Sequence, residues 1–212
     1  MHRLTKKRRA ISAVITTMII LIASVVLGSG VTLYGTSLFQ TQGQSESIAT
    51  TGTQLWVDKT YNLGYAWGAA EIRNSGDKLL ALDTISVRGT QVPYSNWYYD
   101  TNPTRITLTN FQSQLIYPGV NPNGQLQNSI GTGLACIPAT LLMINEFGTN
   151  ANPTLCLTQS TGPISLEPGD KVIVYFRIPN GVMTAIDAGY ATSVAIYADH
   201  AGSPVSVTIQ GK

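Results

Sequence analysis

Few side chains in this sequence are placed to do chemistry. The histidines are His2 and His200, and His200 lies next to Asp199 with Ser203 nearby. Ser, His and Asp form a hydrolytic triad when they converge from separate parts of a fold, so that His accepts the proton of Ser. Neighbours in one tight loop seldom converge in this way. We therefore predict that the chain has no catalytic site.

Carboxylates that could bind a metal are scattered along the chain. Asp77, Asp83, Asp170 and Asp187 could ligate calcium only if the fold gathered them, because no stretch has the dense oxygen spacing of a calcium loop. Charged residues make up only 11% of the chain, below the ~25% that is usual in soluble domains. We predict no metal and no cofactor.

The two cysteines, Cys136 and Cys156, are the best candidates for covalent chemistry. In an exported protein they would lie where disulfides persist, and we predict that they form one. Two buried free thiols are the alternative. A zinc site is disfavoured because neither cysteine has a second ligand at metal spacing.

A basic cluster abuts an apolar run near the N-terminus, where Lys6, Lys7, Arg8 and Arg9 precede Ala10. A secretory signal peptide is cleaved after its apolar region. No convincing site follows this run, so Ala10 is the alternative. Five of the 13 Lys and Arg residues lie in this leader, which leaves eight against 11 acidic residues. The chain beyond the leader has no basic excess for nucleic acid, and we predict no such partner.

The elements that follow divide the chain. We predict a leader over 1–10, which is removed, an apolar assembly or transmembrane helix over 11–45, a linker over 46–53 and an extracellular head over 54–212. A helix over 11–39 would extend roughly 43 Å, more than the ~30 Å hydrocarbon core of a bilayer. The basic leader favours a cytoplasmic N-terminus.

Two features within these elements bear on packing. Ser24 and Gly28 form a small-xxx-small pair that permits close helix approach, the alternative being a tolerated bend at Gly28 and Gly30. In the head, apolar residues alternate with other residues over 171–178, 194–198 and 205–209, which is the period of half-buried strands. Turn residues separate such runs. We predict an α+β protein whose head is an antiparallel immunoglobulin-like β-sandwich.

Two segments depart from the strand pattern. Residues 138–147 have apolar residues at helical spacing and proline in the first turn, so we expect a short helix there. Asn96, Trp97, Tyr98 and Tyr99 form the least core-like aromatic run, and we expect them at an interface. The other tryptophans are expected in the core.

The leader junction resembles the class III signal peptide of archaeal type IV pilins and archaellins. In that family a prepilin peptidase cuts between a basic stretch ending in Gly or Ala and the apolar helix. The resemblance implies that Arg8, Arg9 and Ala10 are recognised and that Ile11 becomes the first residue. The sequence AEIRNSGDKLLALDTISVRG at 70–89 is similar to a strand, turn and strand of archaeal pilin heads.

The resemblance implies a structural subunit of an extracellular filament, either an adhesive pilus or an archaellum, that polymerises through its helix after leader cleavage. Its expected partners are copies of itself in a helical filament, the prepilin peptidase, the membrane before assembly and, indirectly, an assembly platform and ATPase. Ile15 replaces the Glu that is common in bacterial type IV pilins, and so favours the archaeal branch. The alternative is a membrane-anchored extracellular binding protein with the same signal.

Overall fold

The computed structural model describes residues 3–42, 45–61, 64–106, 115–127, 136, 142–144 and 155–212. The chain divides into two units, Met1–Ser45 and Glu46–Lys212. The first unit contains one long helix, and the second contains a mostly antiparallel sheet. The α+β prediction with an N-terminal apolar helix is therefore confirmed.

Helix α1 spans Arg3–Gln42. Its sequence has no proline. Its threonine hydroxyls bond to the backbone of the same helix: Thr17 Oγ1 donates to Val14 O at 2.9 Å, and Thr36 Oγ1 donates to Thr32 O at 3.0 Å. These bonds satisfy polar side chains that apolar surroundings would leave without water. The helical backbone begins within the predicted leader and ends at Gln42, so it contains most of the helix predicted over 11–45.

Eleven strands lie in the described part of the head. They are β1 (Ile48–Val57), β2 (Ala66–Asn74), β3 (Leu80–Val87), β4 (Thr90–Gln91), β5 (Trp97–Asp100), β6 (Leu142–Ile144), β7 (Leu155–Gln159), β8 (Ile164–Leu166), β9 (Lys171–Ile178), β10 (Ala191–Ala198) and β11 (Ala201–Gly211).

The strand order is β4-β3-β10-β11-β1-β2-β9-β5-β7-β6, and β8 pairs with β3. Strand β11 joins two halves of this sheet. Its residues 201–208 pair antiparallel with β10, and its last residues, from Ile209 to Gly211, pair parallel with β1. The other pairings between these strands are antiparallel.

Two hydrophobic clusters flank the strands β1, β2 and β9. The first takes side chains from both halves of the sheet, including Ile72 and Phe176 from one half and Ile85 and Ile196 from the other. The second lies on the opposite side, where Trp67 and other aromatic side chains pack against residues from the segment between β5 and β7. Each fully buried side chain of this size contributes about 1.5–3 kcal/mol, so both sides of the central strands stabilise the head.

Burial on both sides corrects one expectation about β9. The alternating pattern predicted a half-buried strand, yet Ile173 and Tyr175 are as fully buried as Val174 and Phe176. The second cluster covers the side that would otherwise face solvent. In β10, by contrast, buried and exposed positions alternate as predicted.

The head begins earlier in the chain than predicted. Ile48 to Thr53, assigned to a linker over 46–53, belong to β1, and Ile48 pairs with Asn74 of β2. Gly52 has φ of 61° and lies at a register shift in this pairing, so it forms a bulge within a strand. The predicted start of the head at residue 54 is therefore wrong by six residues.

The predicted helix over 138–147 is also wrong where the structure describes it. Residues Leu142–Ile144 form β6, which pairs antiparallel with β7. The rest of that segment lies outside the described residues. Hydrogen bonds to β7 and burial of Ile144 in the second cluster outweigh the local helical spacing.

Candidate functional site

The apolar surface of α1 is a candidate binding surface. The helix is uncharged and predominantly apolar from Ala13 to Ser37, and none of these residues is buried. Val14, Ile22 and Leu33 are 65%, 59% and 71% exposed. The helix is long and apolar enough to cross a membrane. Such a surface needs lipid or protein to cover it.

The predicted packing pair lies on this surface. Ser24 Oγ donates to Leu21 O at 2.9 Å, so the hydroxyl stays on its own helix. A Cβ added at Gly28 would meet no atom within 4 Å. Close helix approach at Ser24 and Gly28 stays a prediction, because the two residues have no partner helix among the described residues.

The predicted cleavage residues lie within the helical backbone. Arg8, Arg9, Ala10 and Ile11 belong to α1, and their side chains lie outside what the structure describes. Their role as a leader junction stays a prediction from the sequence.

The disulfide between Cys136 and Cys156 is confirmed, with Cα atoms 5.6 Å apart. Both cysteines are buried. The Cys156 N–H donates to Asp100 Oδ2 at 2.9 Å, and the same carboxylate accepts two bonds from the Arg105 guanidinium at 2.6 and 3.0 Å. The disulfide and this carboxylate fasten the segment after β5 to β7.

The expectation that residues 96–99 lie at an interface is wrong for Trp97. Trp97 is fully buried in the first cluster, and its indole N–H donates to Val92 O at 3.1 Å. Tyr98 packs against Trp67 with ring centroids 5.7 Å apart, and the Asn96 amide donates to Arg177 O at 3.1 Å. These residues hold β5 to β9, and the half-buried Tyr99 packs against the first cluster.

The possible triad does not assemble. The His200 ring lies 3.2 Å from a Glu46 carboxylate oxygen, whereas Ser203 Oγ lies 2.5 Å from Thr50 Oγ1. Asp199 instead accepts a bond from the Ala81 N–H at 2.7 Å. The nucleophile, base and acid of the triad therefore face different neighbours.

The structure does not bring the four aspartates considered for calcium together as one group of ligands. No cluster of three His, Cys, Asp or Glu side chains suited to a metal occurs within the described residues. Asp170 accepts a bond from the Glu167 N–H at 3.1 Å, and Asp187 pairs with Arg88 at 2.7 Å. Both aspartates serve turns of the head.

Arg88 holds a loop that no sequence motif predicted. This residue has φ of 52°, a conformation that costs a side-chain-bearing residue roughly 1–2 kcal/mol. Its guanidinium donates to Asp187 Oδ1 at 2.7 Å, Val182 O at 3.1 Å and Thr192 Oγ1 at 3.2 Å. Hydrogen bonds from Arg88 and then from Thr184 lower the pKa of Asp187. Residue types and spacing near Arg88 carried no signal for these long-range contacts.

Glu46 plays a similar role at the start of the head. Its carboxylate lies 3.0 Å from Lys78 Nζ and 3.2 Å from His200 Nδ1. The hydrogen bond from Lys78 lowers the pKa of Glu46. This one carboxylate thereby contacts the β2–β3 turn and the β10–β11 turn.

No protein-family model matches this chain, and a comparison with curated proteins finds no match. The function proposed for this chain therefore rests on its own residues and their geometry.

Proposed function

We propose that this chain is a structural subunit of an archaeal extracellular type IV pilus-like filament, an adhesive pilus or an archaellum, that polymerises through α1 after cleavage between Ala10 and Ile11. One observation carries the proposal. An apolar helix, Ala13 to Ser37, of which no residue is buried, precedes a head that has its own core and a disulfide.

The charge distribution supports a membrane-bound precursor that is released by cleavage. Moving each Lys or Arg of the leader into hydrocarbon costs about 2.5–3.5 kcal/mol on insertion scales, so the uncleaved helix is held in the membrane. Removing residues 1–10 lifts this barrier. The helices then leave lipid and pack against one another, and an interface that does not close produces an open helical filament.

The head is best interpreted as an immunoglobulin-like sandwich. Strand β11 joins two groups of strands, and the first hydrophobic cluster takes side chains from both groups. Packed antiparallel sheets with such a core are the architecture of that fold. The disulfide fits an oxidising location, which supports a cell-surface filament.

Replacement of the residue before the cut tests the proposal. Ala10→Leu should block processing and leave no filaments, because a large side chain replaces the small one that the resemblance requires. Ala10→Gly is the matched control and should be processed normally. Electron microscopy measures filaments, and intact mass of the purified subunit measures whether the chain starts at Ile11. Normal filaments of Ala10→Leu would refute the cleavage site.

A second function, a membrane-anchored extracellular binding protein, is favoured by a polar hollow beside the disulfide. This open hollow of about 440 Å³ is lined by Tyr99, Asp100, Asn102, Arg105 and Thr158, among others. A binding protein would remain a monodisperse monomer in the membrane. Purified wild-type chain that forms no filaments and stays monomeric would favour this function over the filament.

A further inference from the structure

We propose that successive heads in the filament bind each other end to end, with one end of each head contacting the opposite end of a second copy of this chain. The proposal rests on the proposed function, because it assigns the heads of that filament a contact of their own. We name the two surfaces the acidic end and the basic end. The acidic end comprises Glu46, Asp77–Leu79, Glu167–Asp170 and Asp199–His200. The basic end comprises Lys59, Arg88, Arg177, Ile186–Tyr190 and Lys212.

Strand register places these surfaces at opposite ends of the head. Ile48 pairs with Asn74 at the start of β1, and Val57 pairs with Ala66 at its end. Ten residues separate the two ends of this strand by roughly 30 Å. Asp170 O accepts a bond from the Asn74 N–H at the acidic end. Lys212 N donates to Val57 O at the basic end.

Exposed apolar side chains are concentrated at these two ends. In the described part of the head, three large apolar side chains are more than 60% exposed: Leu79 at 63%, Ile186 at 87% and Tyr190 at 65%. Leu79 belongs to the acidic end, and Ile186 and Tyr190 belong to the basic end. Each end therefore has at least one exposed apolar side chain that a partner could bury.

The basic end is ordered before any partner binds. Arg88 keeps a left-handed backbone while its guanidinium bonds to Asp187 and Val182. Asp187 Oδ2 in turn accepts a bond from the Thr184 N–H at 2.8 Å, which caps the short turn that presents Ile186. Strained residues that the surrounding structure holds in place are concentrated at functional sites. A fixed loop loses little conformational entropy on binding.

The charges of the two ends are complementary. At the acidic end and its border, five carboxylates outnumber three cations. Of these cations, Lys78 is already paired with Glu46. At the basic end and its border, four cationic side chains outnumber two carboxylate side chains, of which Asp187 pairs with Arg88 and Asp58 is buried. These charges are Glu46, Asp77, Glu167, Asp170 and Asp199 with Arg73, Lys78 and Lys171 at the first end, and Lys59, Arg88, Arg177 and Lys212 with Asp58 and Asp187 at the second.

Two unlike ends can join copies without closing a ring. Contact between the acidic end of one copy and the basic end of the next is heterologous, so it repeats along an open filament. A small contact suffices there, because packing of the helices holds the heads at high effective concentration. Repulsion between like charges also disfavours contact between two copies of the same end.

Cysteine cross-linking of the full-length chain in assembled filaments tests the contact. The variant L79C/I186C places one thiol at each end, and both native cysteines are already joined in a disulfide. A short bis-maleimide should convert this variant into a ladder of covalent multimers. The single variants L79C and I186C should stay monomeric, and their mixture in one filament should give dimers. The control L79C/S206C, with its second thiol in the middle of β11, should give no ladder.

Electron microscopy of the same samples separates this inference from the proposed function. Filaments in which L79C/I186C gives no ladder, or no more than the control, would overturn the end-to-end contact and would assign the exposed side chains to a different partner. The filament proposal would then stand. Wild-type chain that forms no filaments would overturn both proposals.

Discussion

Replacing Gly68 by alanine should destabilise the head. Gly68 lies in β2 between Leu55 of β1 and Phe176 of β9. An added Cβ would lie 2.8 Å from Leu55 Cδ2 and closer still to the Phe176 ring. Both neighbours are fully buried, so neither can move without disturbing the first hydrophobic cluster.

The expected loss in the free energy of unfolding follows from two opposing effects. Overpacking of a core costs about 1–3 kcal/mol. Replacing glycine in a strand recovers roughly 0.5–1 kcal/mol of backbone entropy. The middle of the two ranges gives a net loss of about 1.3 kcal/mol, and their extremes give about 0 to 2.5 kcal/mol. For a chain of this size, the middle value lowers Tm by about 3–5 °C.

Thermal unfolding of the purified full-length chain in detergent measures this loss through tryptophan fluorescence. All three tryptophans are buried in the head, so the signal reports on the head and not on α1. Gly162→Ala is the matched control, since a Cβ there meets no atom within 4 Å. It should leave Tm unchanged or slightly raised. A Gly68→Ala Tm at or above that of the wild type would refute the packing argument.

Three other predictions concern the head. Serine at both Cys136 and Cys156 should lower the free energy of unfolding by roughly 3 kcal/mol, since the loop closes about 20 residues; urea titration measures this loss. Asp187 has a lowered pKa, so its contribution to stability is present above about pH 4 and is lost as the pH falls through the folded value. Unfolding curves of Asp187→Asn and wild type should therefore differ near neutral pH and converge in acid. Tyr117→Phe should leave the free energy of unfolding unchanged or raised, because the buried hydroxyl has no hydrogen-bond partner within the described residues; a clear loss in urea titration would contradict this.

Sequence patterns predict the elements in which each face has uniform surroundings. The uncharged apolar run indicates α1, and the alternation at 194–198 indicates β10, because one of its sides faces the core and the other faces solvent. Turn residues likewise separate strands, since NSGD at 74–77 lies between β2 and β3 and EPGD at 167–170 lies between β8 and β9. The disulfide also follows from the sequence, since two cysteines in a head that is expected to be exported have few other roles.

Contacts between distant segments decide what the sequence does not predict. Trp97 is buried in the first cluster, where the two groups of strands meet. Tyr175 is buried in the second cluster, beside residues from the segment between β5 and β7. The polar residues at the start of β1 look like a linker, yet pairing with β2 makes them a strand. The Arg88 loop depends on Asp187, which is 99 residues away along the chain.

The position of β1 between β2 and β11 has a mechanical consequence. A pull applied at Glu46 along the axis of β1 would load the strand in shear, because the hydrogen bonds to its antiparallel neighbour lie across the strand. Those bonds would share the force and have to rupture together, on two sides at once. A hairpin opened from its end would lose its bonds one at a time. Traction on the helix would therefore be borne by a strand that is hydrogen-bonded on both of its sides.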